Sequence, residues 1–252
     1  MSLKYVCAGV LMSANVFAQV ERPNQDSDHS LSIGLAGVTV ESIYVDGDRQ
    51  NRAFPAVNYA YKQFYFQAGD LGFHLFENEN WELDIGIGAN LAGDVDRGDS
   101  ELLEDLPDLS IPVSAFVSAQ YTSSIGLFEV AYQEEINNKH NGNSAAFSYT
   151  VPFPVGKWLL LPRLEANYFS EEAVNYFYGV EPDFALAGRP AYTADSEIVL
   201  GASVFALRRI NDKFSIFANV NYQDFGDEIT NSPIVEDDSA VSVFAGFLYK
   251  IF

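Results

Sequence analysis

Along most of the chain, apolar and polar residues alternate one by one. The clearest run sets Trp81, Leu83, Ile85, Ile87, Ala89 and Leu91 against Glu82, Asp84, Gly86, Gly88 and Asn90. A period of two marks a strand with two unlike faces. The closing stretch, Ser239 to Phe252, repeats it. Val241, Val243, Ala245, Phe247, Tyr249 and Ile251 form one row, and Ser242, Phe244, Gly246, Leu248, Lys250 and Phe252 form the other. Further runs begin near Leu31, Ile111, Leu127, Ala145, Trp158, Ile198 and Phe214. No window carries a convincing amphipathic-helix period.

The polar members of these runs decide the fold class. Glu82, Asp84, Arg163, Glu165, Asn219 and Asn221 all lie opposite a continuous apolar row. A soluble sandwich turns its apolar rows inward, so this pattern is inside out. In lipid a sheet has no water to satisfy its edges and must close on itself. The expectation is an all-β, antiparallel transmembrane β-barrel.

Connection lengths agree. Reading back from the C-terminus, residues 225–238, 170–194 and 94–109 make long loops, whereas 209–212, 152–156, 137–143, 122–124 and 77–80 are short. A periplasmic C-terminus puts every long loop outside the cell. Phe54 to Phe76 has mixed parity: read as one strand bulged near Lys62-Gln63 it gives about 10 strands, and read as a hairpin it leads to 12. Ten is the preferred count. Trp81, Tyr121, Trp158, Tyr168 and Tyr222 read as interface aromatics.

Charge and processing sharpen the picture. The chain holds 35 acidic and 14 basic residues, a net charge of −21. That balance lacks the basic footprint of a nucleic-acid binder. Residues 1–18 read as a secretory signal peptide, with Lys4 before an apolar segment and Val16-Phe17-Ala18 as the cleavage pattern. Its removal takes away Cys7, the chain's only cysteine, so no disulfide is expected. Residues 19–30 read as a flexible lead and 31–252 as the barrel. Export plus a barrel implies the outer membrane of a Gram-negative bacterium, in contact with the lipid bilayer and lipopolysaccharide.

Candidate chemistry is sparse. His29, His74 and His140 fall in separate regions, and no serine sits in a G-x-S-x-G elbow. No catalytic residue, cofactor or metal is therefore expected. Asp94 to Asp99 resembles the start of a calcium loop, but Gly98 comes one place early and Asp105 stands where a distal Glu belongs. Arg97-Gly98-Asp99 is a chance tripeptide. Arg163, Arg208 and Arg209 with Glu165 read as interior or rim ion pairs. Phe116, Leu159, Leu161, Phe217 and Phe244 are large residues aimed at the lumen.

Several stretches resemble the MipA/OmpV family of outer-membrane proteins. They are Phe54-Pro55-Ala56-Val57-Asn58-Tyr59 running into Phe64-Tyr65-Phe66, and Arg97-Gly98-Asp99-Ser100-Glu101-Leu102. Tyr176-Phe177-Tyr178-Gly179-Val180 follows, then Gly188-Arg189-Pro190-Ala191-Tyr192, and finally Asn231-Ser232-Pro233-Ile234-Val235 before the closing strand. The usual C-terminal assembly signal resembles G-x-x-Y-x-F. Here Gly246 and Tyr249 keep their places, but Ile251 takes the aromatic position and Phe252 lies one beyond. The barrel assembly machinery is the expected reader of that signal.

The resemblance implies a non-enzymatic scaffold of the peptidoglycan machinery, with a lytic transglycosylase and a penicillin-binding protein as partners. It also implies Arg97, Asp99, Glu101, Tyr178, Arg189 and Tyr192 as candidate loop residues for interaction. A narrow channel for small solutes or antibiotics, and a surface adhesin acting through the long loops, are the alternatives.

Overall fold

The computed structural model describes residues 29–89 and 94–252. The signal peptide and residues 19–28 of the lead lie outside the described residues. Within the described residues the alternating runs become strands; Asn90 and Leu91, the end of the clearest run, lie outside them. The strands are β1 (His29–Val40), β2 (Gln50–Tyr61), β3 (Phe64–Gln67), β4 (Asp70–Glu77), β5 (Trp81–Ala89), β6 (Val113–Ser123) and β7 (Gly126–Glu135). They continue with β8 (Asn143–Thr150), β9 (Phe153–Val155), β10 (Trp158–Phe169), β11 (Glu197–Arg209), β12 (Phe214–Asp224) and β13 (Ser239–Lys250).

Every neighbour is antiparallel, and β13 pairs with both β12 and β1, so the sheet closes. Among the described residues β9 pairs only with β10, and it continues β8 past Val151-Pro152. Proline cannot donate a ladder bond, which explains the break there and the one-sided pairing at Pro154. Counting β8 and β9 as one wall element gives 12 strands, the alternative count.

The preferred count of ten fails at Phe54 to Phe76. Lys62 takes a left-handed φ of 55° and turns β2 into β3; Ala68 (φ 51°) and Gly69 (φ 98°) turn β3 into β4. One anticipated strand is thus three. β3 is only four residues long and covers Asn58 to Tyr61 of β2. Among the described residues the upper part of β2, Gln50 to Val57, has β1 as its strand partner. Pro55 sits within that one-sided stretch, where a missing amide costs no ladder bond.

The two rows of β13 take the faces their pattern implies. Val243, Phe247 and Tyr249 are exposed on the outer wall, while Ser242 and Leu248 are buried inside. The same holds around the barrel: Ile85, Ile87, Val117, Val130, Leu164, Val204 and Val220 face outward. Glu82, Asp84, Ser118, Gln120, Glu129, Glu165, Asn167 and Asn219 are buried inward. The end carrying the short turns is periplasmic.

Candidate functional site: the loop lid and the lumen

The long extracellular connections do not wave free. Four of them, 41–49, 94–112, 170–196 and 225–238, fold together into one lid over the barrel mouth. Ile43 and Tyr44, Leu103 and Leu106, Phe177 and Tyr178, and Ile229 and Ile234 come from these loops in turn and share one buried apolar core. Phe169, Val199 and Ala240 at the tops of β10, β11 and β13 join it from the wall. Burying each such aliphatic or aromatic side chain is worth roughly 1.5–3 kcal/mol.

The third loop contains a helix that alternation did not reveal, α1 (Glu171–Tyr178). Its Ala173, Val174, Phe177 and Tyr178 are buried, a stripe at helical spacing, and Glu171 and Glu172 occupy the first turn, where a helix favours negative charge. Asn175 fastens the returning chain: its Nδ2 donates to the Ala194 carbonyl (2.7 Å) and its Oδ1 accepts the Ala194 amide (2.8 Å).

Polar links close the lid between loops. The Val45 amide donates to the Ile234 carbonyl (3.1 Å), the Glu236 amide to Ile43 (2.8 Å) and the Asp48 amide to Gly98 (2.8 Å). Ser100 Oγ donates to the Val45 carbonyl and Ser232 Oγ to the Tyr178 carbonyl, both at 2.6 Å. Tyr44 stacks on Tyr178 at 5.7 Å between ring centres, and burial pushes both hydroxyls up, so they stay neutral. The short connection 136–142 winds round Glu135, whose carboxylate accepts the amides of Asn137, Lys139, His140 and Asn141.

The candidate loop residues divide by this geometry. Arg97 is buried and donates to the Pro107 carbonyl at 2.9 Å. Arg189 is buried between two loops, with its guanidinium on both carboxylate oxygens of Asp105 and on the Leu102 and Phe184 carbonyls. That pair holds the Asp105 carboxyl below the usual carboxylate range. Tyr178 is in the core, and Tyr192 donates its hydroxyl to the Glu228 carbonyl at 2.9 Å. Asp99 and Glu101 are exposed.

The calcium-loop likeness has a different use. Asp94 Oδ1 accepts the Asp96 amide (3.0 Å), and its Oδ2 accepts the Gly98 amide (2.7 Å) and Gln50 Nε2 (3.2 Å). Asp96 Oδ2 takes Arg52 Nη2 at 2.7 Å. These carboxylates tie the acidic loop to the inner face of β2. A cavity of about 50 Å³ lies beside them, between Tyr44, Gln50, Asp94, Tyr178 and Phe225.

Burial raises the Asp94 carboxyl to about 6, against the pull of the Gly98 and Asp96 amides. A folded-state value above the unfolded one means that ionisation costs stability. That cost is absent below about pH 4, grows as the pH rises to about 6, and is complete above it. Deuterium exchange of the lid amides, corrected for intrinsic rates, should therefore show protection falling over that interval. Asp94→Asn should flatten the profile; an unchanged pH dependence in that variant would remove Asp94 as its source.

Below the lid the lumen has two unlike walls. On one, Phe54, Phe244, Phe217 and Phe205 form a ring stack with successive centres 5.9, 5.1 and 6.1 Å apart. On the other, Arg163 Nε bonds Glu165 at 3.1 Å and its Nη1 reaches Glu129 at 3.4 Å. A cavity of about 10 Å³ beside them is at the limit of what one water needs.

The five aromatics read as interface anchors sit at the two ends of the wall. Trp81 and Tyr121 pair across β5 and β6 at 4.8 Å near the periplasmic end, and Trp158 lies under the Arg208 guanidinium at 5.7 Å. Tyr168 and Tyr222 mark the extracellular ends of β10 and β12 and are exposed. At the C-terminus the Ile251 amide donates to the Leu31 carbonyl (2.8 Å) and the Leu31 amide to the Phe252 carbonyl (3.3 Å). Both final residues thus extend the seam with β1. Phe252 meets His29 edge-on at 4.8 Å, Tyr249 faces lipid, and Gly246 lies against the Phe217 ring.

His29, His74 and His140 stand apart as expected. His140 is buried in the lid, where its Nδ1 accepts the Gly142 amide at 2.9 Å. His74 has carboxylate company inside the lumen, which the sequence reading missed. Its Nδ1 is 2.7 Å from Asp84 Oδ1 and 3.5 Å from Glu82 Oε1.

Comparison with known proteins follows the same lines. The family described as MltA-interacting protein MipA matches residues 33–251. The outer membrane protein YiaT of Escherichia coli (strain K12) is 24% identical over 245 residues, covering 96% of this chain and 100% of that protein. Outer membrane protein OmpV of Vibrio cholerae is 24% identical over 220 residues, covering 86% and 84%. The MltA-interacting protein of Escherichia coli (strain K12) is 22% identical over 251 residues, covering 98% of each.

Proposed function

Since the chain belongs to the MltA-interacting protein MipA family of outer-membrane barrels, we propose that it serves as a non-enzymatic envelope scaffold. Its periplasmic rim holds a lytic transglycosylase of the peptidoglycan machinery. The name of the Escherichia coli relative supports the choice of partner.

The observation that carries the reading is the make-up of that rim. Ile125 in the β6–β7 turn is 65% exposed and Ile210 in the β11–β12 turn 47%. Lys157 and Lys213 are exposed on adjoining turns, and Arg208, Arg209 and Lys250 lie at the same end. Glu77, Glu79 and Asp212 are exposed at this end too, but the lid is far more acidic, so the rim, with its isoleucines and basic residues, stands out as a surface for protein contact. A lid with its own core and a lumen narrowed by four phenylalanines argue for holding a partner over passing a solute.

Photo-crosslinking side chains at positions 125 and 210 in intact cells test it. The expected product is an adduct with a lytic transglycosylase. Adducts no stronger than those from lipid-facing position 130 would reject the proposal.

A further inference from the structure

We propose that His74, Glu82 and Asp84 form a binding site for one divalent transition-metal ion, low in the lumen wall between β4 and β5. The three donor atoms lie within 4.8 Å of one another. They come from adjacent strands: His74 faces Asp84 directly across the ladder, and Glu82 is two residues from Asp84 on the same inner face. One imidazole with two carboxylates is a mixed nitrogen–oxygen set of the kind that suits zinc or manganese.

Three features of the wall prepare the site. The register shifts between His74 and Phe76, a bulge beside the imidazole, and bulges re-aim side chains in this way. It sends both Leu75 and Phe76 to the lipid face and keeps His74 on the lumen side. Tyr65, from β3, donates its hydroxyl to Asp84 Oδ2 at 3.3 Å and packs against the His74 ring at 4.8 Å. That bond fixes the second oxygen of Asp84 and leaves Oδ1 turned to the imidazole, the outer-shell arrangement typical of metal ligands.

Distances and charge both suit an ion. Zinc–ligand bonds of about 2.0–2.1 Å place tetrahedral donors roughly 3.3 Å apart. The His74–Glu82 separation of 3.5 Å already fits, and the His74–Asp84 separation of 2.7 Å has only to relax outward. A divalent ion carries enough charge to balance two carboxylates. Held by one imidazole nitrogen and two carboxylate oxygens, it keeps a fourth position for water. The consequence is mechanical: the ion ties β4, whose partner on the far side is the four-residue β3, to the full-length β5.

Calorimetric titration of the purified barrel in detergent with Zn²⁺ or Mn²⁺ tests the site. One ion per barrel is expected, with affinity at least tenfold lower in His74→Ala and in Glu82→Gln and unchanged in Asp99→Asn, an acid exposed on the lid. A chelator should lower the melting temperature of the wild type and not that of Glu82→Gln. Co²⁺ should give the visible bands of a low-coordinate nitrogen–oxygen site. Equal binding by wild type and Glu82→Gln, or only the spectrum of hydrated cobalt, would overturn the proposal. Glu82→Gln preserves shape, so a folding failure of His74→Ala alone leaves the test intact.

Discussion

Gly34→Ala should weaken the closure of the barrel. An added Cβ at Gly34 would lie 1.7 Å from the Phe247 carbonyl oxygen and 2.8 Å from its carbonyl carbon, backbone atoms of the strand across the seam. No rotamer relieves a clash with backbone, so β1 and β13 must separate around the Gly34–Leu248 pair. Opening two ladder bonds at about 1 kcal/mol each corresponds to a drop of roughly tenfold or more in the folding equilibrium constant. Gly37 on the same strand is the control, because its added Cβ would find its nearest neighbour, the Arg52 carbonyl oxygen, at an ordinary 3.5 Å. Heat-modifiable mobility on gels reads the folded fraction directly. A folded yield for Gly34→Ala equal to that of Gly37→Ala would show that the seam tolerates the extra atom.

Phe177→Ala should open the lid and leave the barrel standing. The ring is 1% exposed and lies among Tyr176, Tyr178 and His140 at 5.0–6.4 Å between ring centres. Truncating a buried phenylalanine costs about 3–5 kcal/mol, which raises the open population by roughly 100-fold or more. Arg97 is a buried tryptic site in the same lid, so cleavage of the Arg97–Gly98 bond reports the opening. The expected result is rapid cutting at Arg97 with an unchanged heat-modifiable barrel. Wild-type cleavage rates in the variant would mean that the lid does not depend on this core.

How much of this could be read from residue order depends on how many alternations an element offers. β13 has twelve residues, enough for both rows to declare their faces, and both partners of that strand followed from closure. β3 has four, too few to separate a turn from a bulge, so the chain from Phe54 to Phe76 lost two turns in the reading. The real bulge comes later, between His74 and Phe76, and its effect is to put Leu75 and Phe76 on one face.

The same shift hid the metal-ligand cluster. Placing His74 beside Glu82 and Asp84 needs the β4–β5 register, which a parity argument loses across a bulge. The α1 stripe at 173, 174, 177 and 178 was legible in principle, but eight residues directly after the long strand β10 do not outweigh a chain full of strands. The roles of Arg97, Arg189 and Tyr178 as lid fastenings are set by contacts between loops far apart in the chain. Asp105 and Arg189 are 84 residues apart, and no local pattern announces such a pair.

The seam joins the first strand to the last, and the lid repeats that join above it, where the Val45 amide meets the Ile234 carbonyl. Both contacts span nearly the whole polypeptide, so each carries a large loop-closure entropy that has to be met before either gives anything back. Once β1 and β13 are zipped, Ile43 and Ile234 are held at one edge of the mouth and the second closure costs little. The lid therefore works as a latch with a fixed order of events: it can set only on a finished cylinder. Protection of Arg97 from trypsin during refolding into lipid should follow the appearance of the compact gel band and never precede it.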